Sequence, residues 1–69
     1  MKEIEKTLRS LKDKKWHNLN NIKESSNLSQ DKINLIIKFL EKQKFAKLNS
    51  KKDQIKITTL GMDYINLPT

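Results

Sequence analysis

The chain begins with apolar residues at the spacing of one helical face, namely Ile4, Leu8 and Leu11. This i, i+4, i+7 spacing predicts an amphipathic helix from Lys2 to about Lys14, with its apolar face in the core. The other positions of the segment are polar or charged, and the pair of Glu5 with Arg9 at i+4 supports a helix.

A second, shorter helix is predicted from near Leu19 to about Ser25. Asn18 precedes it and has the side chain of a good N-cap, because its oxygen can accept from a free N–H group of the first turn. Asn27 follows it and is one of the few residues besides glycine that tolerate a positive φ. The pattern therefore predicts a tight corner at Asn27.

A third helix is predicted from a cap at Ser29 to about Gln43, with Asp31 favourably placed in its first turn. Its inward stripe consists of Ile33, Ile36, Ile37 and Leu40. Leu35 and Phe39 lie off that stripe. Phe39 is expected to pack under the first helix, but if both are exposed they form a patch suited to another protein or to a second copy of this chain.

After Lys44 the apolar period changes from helical spacing to alternation. Short strands are predicted at 45–49 and 54–58, joined by a polar, basic turn. A final helical segment is predicted after a cap at Thr58 or Thr59, and Pro68 is expected to end it. The second half of the chain is thus a β-hairpin followed by a short helix.

Length and composition limit what this chain can be. Its 69 residues fit one small domain, residues 1–69, and a chain of this size buries only about 60% of the surface that its unfolded form exposes. It has no cysteine, so no disulfide or thiolate metal site is available. Without a long apolar run or a signal-peptide core, the protein is expected to be soluble and cytoplasmic, with no membrane association.

The charge favours a polyanionic partner. The chain has 15 Lys and Arg against 8 Asp and Glu, a formal net charge of +7, and Arg9 is its single arginine. Nucleic acid is the partner that this surplus favours most. Lysine acts as a point charge whereas arginine makes bidentate contacts with guanine, so the composition suits phosphate contact better than dense base reading.

The order of these predicted elements resembles the winged helix-turn-helix family, as in small archaeal and bacterial transcription regulators. The segments that carry the resemblance are 16–19, 26–29, 33–40, the helix end and strand start Phe39-Leu40-Glu41-Lys42-Gln43-Lys44-Phe45-Ala46, and Ile57-Thr58-Thr59-Leu60-Gly61. The resemblance implies a mostly helical α+β fold with a three-helix core, a β-hairpin wing and a short C-terminal helix. Members commonly have glycine after the third helix, where this chain has Lys44.

The resemblance also implies a DNA-reading surface on the third helix, whose first turns contact base edges in the major groove. Carried over to this chain, that surface consists of Gln30, Asp31, Lys32, Asn34, Leu35 and Lys38. The amides of Gln30 and Asn34 can pair with adenine, Leu35 can meet a thymine methyl, and the two lysines can reach phosphate or guanine. The alternative is an ordinary solvated helix face, since residues 29–43 carry a net charge of only +1.

Two lysines at the hairpin tip, Lys51 and Lys52, fit a wing that touches the minor groove or the backbone, with support from Lys47 and Lys56. The alternative is a solubilising turn. Trp16 is expected to be a core aromatic, with a base-stacking platform as the less favoured alternative. No Cys, His or carboxylate is counted as a neighbour of His17 at the spacing of metal ligands, so a metal role is not expected.

The sequence favours a binding protein over an enzyme. It has one histidine, one glycine and no close pair of carboxylates, so neither a nucleophile with its base nor a phosphate-cradling loop is expected, and no cofactor or small-molecule ligand is evident. The expected function is sequence-specific binding of double-stranded DNA in transcriptional regulation. The alternative is a winged-helix protein-interaction module within a larger complex. A homodimer through the terminal helices is a further hypothesis, with Tyr64, Ile65 and Leu67 on its surface.

Overall fold

Three helices precede a β-hairpin and a fourth helix follows it in the computed structural model, which describes residues 2–67. The elements are α1 (Lys2–Arg9), β1 (His17–Asn18), α2 (Leu19–Ser26), α3 (Gln30–Lys42), β2 (Ala46–Leu48), β3 (Gln54–Ile57) and α4 (Thr59–Ile65). The strands form an antiparallel sheet in the order β1-β3-β2. This mostly helical α+β arrangement is compatible with a winged-helix-like topology. The predicted end of the last helix at Pro68 lies outside the described residues.

Helix α1 ends at Arg9, five residues earlier than predicted. Beyond it the backbone tightens into i to i−3 hydrogen bonds, with the Leu11 N–H donating to Leu8 O at 3.0 Å and the Lys14 N–H to Leu11 O at 3.1 Å. Lys14 then adopts a left-handed φ of 65°. Leu11 is nevertheless fully buried, so the apolar spacing predicted the buried face correctly but not the helix end.

The predicted caps and corner around α2 and α3 are confirmed. The Asn18 side chain accepts from the Asn20 N–H at 2.8 Å, and the Ser29 hydroxyl accepts from the Lys32 N–H at 3.2 Å. Asn27 takes the left-handed conformation, with φ 59° and ψ 20°. The turn between the two helices therefore follows from local side-chain chemistry.

The end of α3 needs a left-handed residue, and Lys44 supplies it with a φ of 63°. The Lys44 N–H donates to Glu41 O at 3.0 Å, and the Phe45 N–H donates to Leu40 O at 2.9 Å. These two nested bonds form a Schellman motif, in which glycine is the usual residue at the position that Lys44 occupies. The missing glycine thus leaves the helix end unchanged in form but places a lysine in a strained conformation.

The sheet contains one strand, β1, in addition to the two strands of the predicted hairpin. Residues 17 and 18 pair with β3, with His17 opposite Ile55 and Asn18 opposite Gln54. On the other side of β3, Lys47 lies directly opposite Lys56. The short segment before α2 is therefore tied to the centre of the sheet.

The core is formed by all four helices and the inner face of the sheet. Every residue of the predicted α3 stripe is buried, and the fully buried large side chains are Leu8, Leu11, Ile33, Leu40 and Ile55. Helix α4 closes this core at Gly61, where a Cβ atom would lie 2.1 Å from the carbonyl oxygen of Phe45. Only a residue without a side chain permits so close an approach of α4 to the start of the hairpin.

Candidate nucleic-acid interface

The exposed face of α3 brings together four of the six residues predicted on it. Asp31, Asn34, Leu35 and Lys38 line a shallow depression of about 300 Å³. Leu35 is 65% exposed although it is apolar, and Asn34 is half-buried beside it. Gln30, the first residue of the helix, is also exposed. This face offers amide, apolar and cationic groups side by side.

Lys32 lies apart from that depression, toward α1. Its Nζ is 3.7 Å from a carboxylate oxygen of Glu3, and both side chains are partly exposed. A backbone hydrogen bond of Glu3 and, second, the charge of Lys32 hold the pKa of the Glu3 carboxyl below its ordinary value. Since Glu3 partly neutralises Lys32, this lysine contributes less positive charge to the α3 face than its sequence position predicts.

The loop between β2 and β3 is organised by the side chain of Asn49. Its oxygen accepts from the N–H groups of Asp53 at 2.9 Å and Gln54 at 3.1 Å, while its amide nitrogen donates to the Asp53 carboxylate at 2.7 Å. Within this ordered loop Lys51 and Lys52 are exposed, and Lys52 has a left-handed φ of 58°. The two tip lysines therefore project from a loop of defined shape.

This loop is also fixed to the helical part of the domain. The backbone N–H of Leu19, at the start of α2, donates to Asp53 O at 3.0 Å. The pairing of β1 with β3 supports the same junction. The basic loop and the helix preceding α3 are consequently held in one arrangement by main-chain bonds.

The chain's single arginine is engaged in the structure. The Arg9 guanidinium makes two bonds to Glu5 Oε1, at 2.9 and 3.1 Å, and donates to the carbonyl oxygen of Ile65 at 3.1 Å. It thus pairs within α1 and satisfies a carbonyl near the end of α4. A bidentate contact to guanine from Arg9 would require both of these interactions to break.

The expectation that Trp16 belongs to the core is wrong. Its side chain is 41% exposed and lies on the outer side of the sheet. The ammonium groups of Lys47 and Lys56 stand 6.0 and 5.7 Å from the centre of its ring. Outward-facing strand lysines stabilise the exposed ring through cation–π contact. Period-two alternation could have identified both lysines as outward-facing, but the position of Trp16 depends on the unpredicted pairing of β1.

His17 is joined to the carboxylate of Asp13, four residues earlier, which corrects the expectation that it has no carboxylate neighbour. Its Nε2 lies 2.8 Å from Asp13 Oδ1, which also accepts the backbone N–H of Lys15 at 3.0 Å. These hydrogen bonds, that of His17 first, hold the pKa of Asp13 below its ordinary value. Among residues 2–67 no cluster of three potential metal ligands occurs.

Several apolar side chains are exposed on or near α3 and α4. Phe39 is 38% exposed and packs against Phe45, whose ring stacks on Tyr64 with a centroid separation of 4.7 Å. Phe39, at one end of this aromatic row, and Leu35 are both exposed, which is the condition under which the sequence predicts an apolar patch instead of packing beneath α1. Leu67 is exposed, whereas Ile65 is buried. Ile65 therefore belongs to the core and not to an outer surface, which corrects one residue of the predicted dimer face.

Comparison of the chain with protein-family models, with curated proteins and with solved structures finds no match. Within the described residues, no helix is both long and apolar enough to span a bilayer.

Proposed function

We propose that this protein is a winged helix-turn-helix domain that binds double-stranded DNA with sequence preference and acts in transcriptional regulation. In this proposal α3 enters the major groove and the β2–β3 loop serves as the wing that contacts the backbone or the minor groove. No catalytic group or cofactor takes part.

The observation that supports it best is the exposed face of α3. The amide of Asn34, the apolar side chain of Leu35 and the ammonium of Lys38 lie in one shallow depression, in the middle of the helix. These are the group types that recognise adenine, the thymine methyl and phosphate respectively. Leu35, which is 65% exposed at the centre of this face, is accessible to a thymine methyl group.

Charge supplies the second support. Lys51 and Lys52 extend from the Asn49-organised loop, and the Leu19–Asp53 bond holds that loop at the start of α2. A DNA duplex carries a phosphate on each strand about every 3.4 Å along its axis, so a rigid pair of lysines can meet adjacent phosphates without ordering a flexible loop on binding.

The deciding experiment is binding of a mixed-sequence duplex, followed by fluorescence anisotropy over a series of salt concentrations. Phosphate contact predicts that log K falls linearly with log salt, with a slope of about −0.9 for each phosphate neutralised. Selection of bound sequences from a random duplex pool should then yield a preferred site. Failure to bind duplex DNA even in low-salt buffer would favour the alternative function.

That alternative is a protein-interaction module, and the exposed Leu35 together with the Phe39 edge of the aromatic row favours it. The same apolar groups extend toward α4 through Tyr64 and Leu67, so a homodimer is part of the proposal. Sedimentation at high micromolar concentration should show a species heavier than the 8.2 kDa chain. A mass of 8.2 kDa throughout would exclude the dimer.

A further inference from the structure

A row of three side chains crosses the outer face of the sheet. Lys47 and Lys56 are directly opposite one another in the β2–β3 pair, and Trp16 immediately precedes β1 on the other side of β3. Both ammonium groups lie within about 6 Å of the indole centre, at the distances given above. This face points away from the core, because the neighbouring residues Ala46, Ile55 and Ile57 are buried.

The row places two like charges side by side. Like charges directly opposite in an antiparallel pair destabilise a sheet, and two lysines share one exposed ring where a lysine and a carboxylate would attract each other. The cation–π contacts, about 0.5–1 kcal/mol each at an exposed site, oppose this repulsion, but neither ammonium group is paired with a carboxylate within residues 2–67. An anion placed between the two ammonium groups would remove the repulsion.

The positive charge continues into an open groove of about 910 Å³ between the hairpin and α4. The lysines that line it are Lys14, Lys44, Lys47 and Lys56, and Asp63 is the acidic residue among the described residues that line it. Two of these lysines, Lys14 and Lys44, are held at left-handed corners of the backbone. The groove is therefore strongly basic and reaches the lysine pair beside Trp16.

We propose that this surface, defined by Trp16, Lys47, Lys56 and the adjoining groove, binds single-stranded nucleic acid. An unstacked base lies on the indole ring of Trp16, and the phosphates that flank it are held by the lysines. This is a second binding surface, formed by the outer face of the sheet and not by α3, and it goes beyond the duplex binding proposed above.

An exposed aromatic ring among lysines favours a single strand over a duplex as the ligand of this surface. In a duplex both faces of each base are already stacked on neighbouring bases, so no base is available to stack on the indole ring. An unstacked base of a single strand offers a free face. The lysine that covers the ring can leave it at small cost, because the cation–π contact is weak and the ammonium gains a phosphate in exchange. Every base has such a face, so little sequence preference is expected.

Trp16 is the chain's only tryptophan, so it reports directly on this surface. The full-length protein is titrated with unstructured oligo-dT and, separately, oligo-U, and the intrinsic fluorescence is followed. Saturable quenching that weakens with salt is expected, and comparison of the two oligonucleotides identifies which sugar is preferred. In anisotropy with labelled oligonucleotide, Trp16→Ala should lower the affinity about tenfold, the effect of losing one aromatic stacking contact.

Two double variants with the same loss of charge separate this surface from general attraction. Lys47→Ala with Lys56→Ala should weaken binding as followed by quenching and reduce the salt slope, measured by anisotropy, by about 1.4, since single strands give about 0.7 for each phosphate contact. Lys51→Ala with Lys52→Ala, at the loop tip, should leave the quenching in place. Circular dichroism confirms that each variant is folded.

Three results would overturn the proposal. The first is an absence of quenching by either oligonucleotide. The second is an equal loss of affinity in the two double variants, which would indicate unspecific attraction to the net charge. The third is quenching by a duplex that depends equally on Lys47 and Lys56, which would assign this surface to duplex binding. Duplex affinity measured on the same variants keeps this test separate from the test of α3.

Discussion

The hydroxyl of Thr58 donates a hydrogen bond to the carbonyl oxygen of Lys44 at 2.6 Å, which connects the start of α4 to the end of α3. The Thr58 hydroxyl oxygen in turn accepts the N–H of Gly61 at 3.0 Å, as the N-cap of α4. Thr58→Val preserves the shape of the side chain and removes both bonds. We expect the free energy of unfolding to fall by about 1–2 kcal/mol in urea denaturation. Thr59→Val, at the exposed neighbouring residue, should change it by less than about 0.5 kcal/mol; equal effects of the two changes would contradict this role of the hydroxyl.

Gly61→Ala should destabilise the protein more than its single added methyl group suggests. The new Cβ atom would lie 2.1 Å from Phe45 O and 2.8 Å from an Ile57 side-chain carbon, and the first of these atoms is backbone that cannot rotate away. We expect a loss of about 2–3 kcal/mol by chemical denaturation, the range for overpacking a core. Asp63→Ala, an exposed change in the same helix, is the control. A Gly61→Ala protein as stable as the parent would show that α4 can move outward freely.

Lys44→Gly should stabilise the protein. Lys44 has a φ of 63°, a region that costs residues with a side chain about 1–2 kcal/mol, and glycine avoids this cost while it loses some additional backbone entropy on folding. The expected net gain is about 0.5–1 kcal/mol in the free energy of unfolding. Lys42→Gly, two residues earlier in the last turn of α3, should have the opposite sign because glycine destabilises a helix interior. The two variants lose the same charge, so a difference in sign isolates the backbone effect.

Asp13→Asn should reduce the loss of stability in acid. The hydrogen bonds from His17 and the Lys15 N–H lower the pKa of Asp13 in the folded protein. A carboxyl with a lowered pKa contributes stability that is present above its unfolded pKa and is lost as the pH falls through the folded one, so the effect lies below about pH 4. Thermal unfolding followed at pH 7 and through that acid range should show a flatter profile for Asp13→Asn. Asp63→Asn is the matched control, and the same flattening in both would assign the effect to net charge.

Substitutions on α3 and on the hairpin loop should have different effects on duplex binding. Lys51→Ala with Lys52→Ala should weaken binding to all sequences and reduce the salt slope by about 1.8, because two phosphate contacts are lost. Asn34→Ala should lower affinity for the preferred site by about 1–3 kcal/mol and relax the choice of one base pair, with little change in slope. Anisotropy with preferred and scrambled duplexes measures both. A uniform loss for Asn34→Ala would remove it from base recognition.

Local chemistry allowed much of the fold to be predicted. The buried stripe of α3, the caps Asn18 and Ser29 and the corner at Asn27 each depend on side chains within a few residues, and all are confirmed. The end of α1 was not predicted, because Leu11 remains buried although the backbone beyond Arg9 has already changed to i to i−3 hydrogen bonds. Spacing alone cannot distinguish these two backbones.

The candidate surfaces were predicted less completely, since they depend on contacts between distant segments. The sequence predicted Lys32 on the same surface as the other α3 residues, whereas the fold brings Glu3 of α1 beside it. The position of Trp16 follows from the pairing of β1 with β3, and a two-residue strand has no alternation from which to predict it. From the sequence alone, a tryptophan next to a helix cap is expected in the core. The exposed position of Trp16 is known only once the sheet pairing is known.

Within residues 2–67, the left-handed corners at Lys14, Asn27, Lys44 and Lys52 have a consequence for how the chain folds. Three of them are lysines, whose local preference opposes that conformation, so short peptides from these regions would not form the corners by themselves. The lysine corners therefore depend on the packing of the segments on either side of them, whereas the corner at Asn27 is supported by local side-chain chemistry. We therefore expect helices and sheet to unfold together as one cooperative unit.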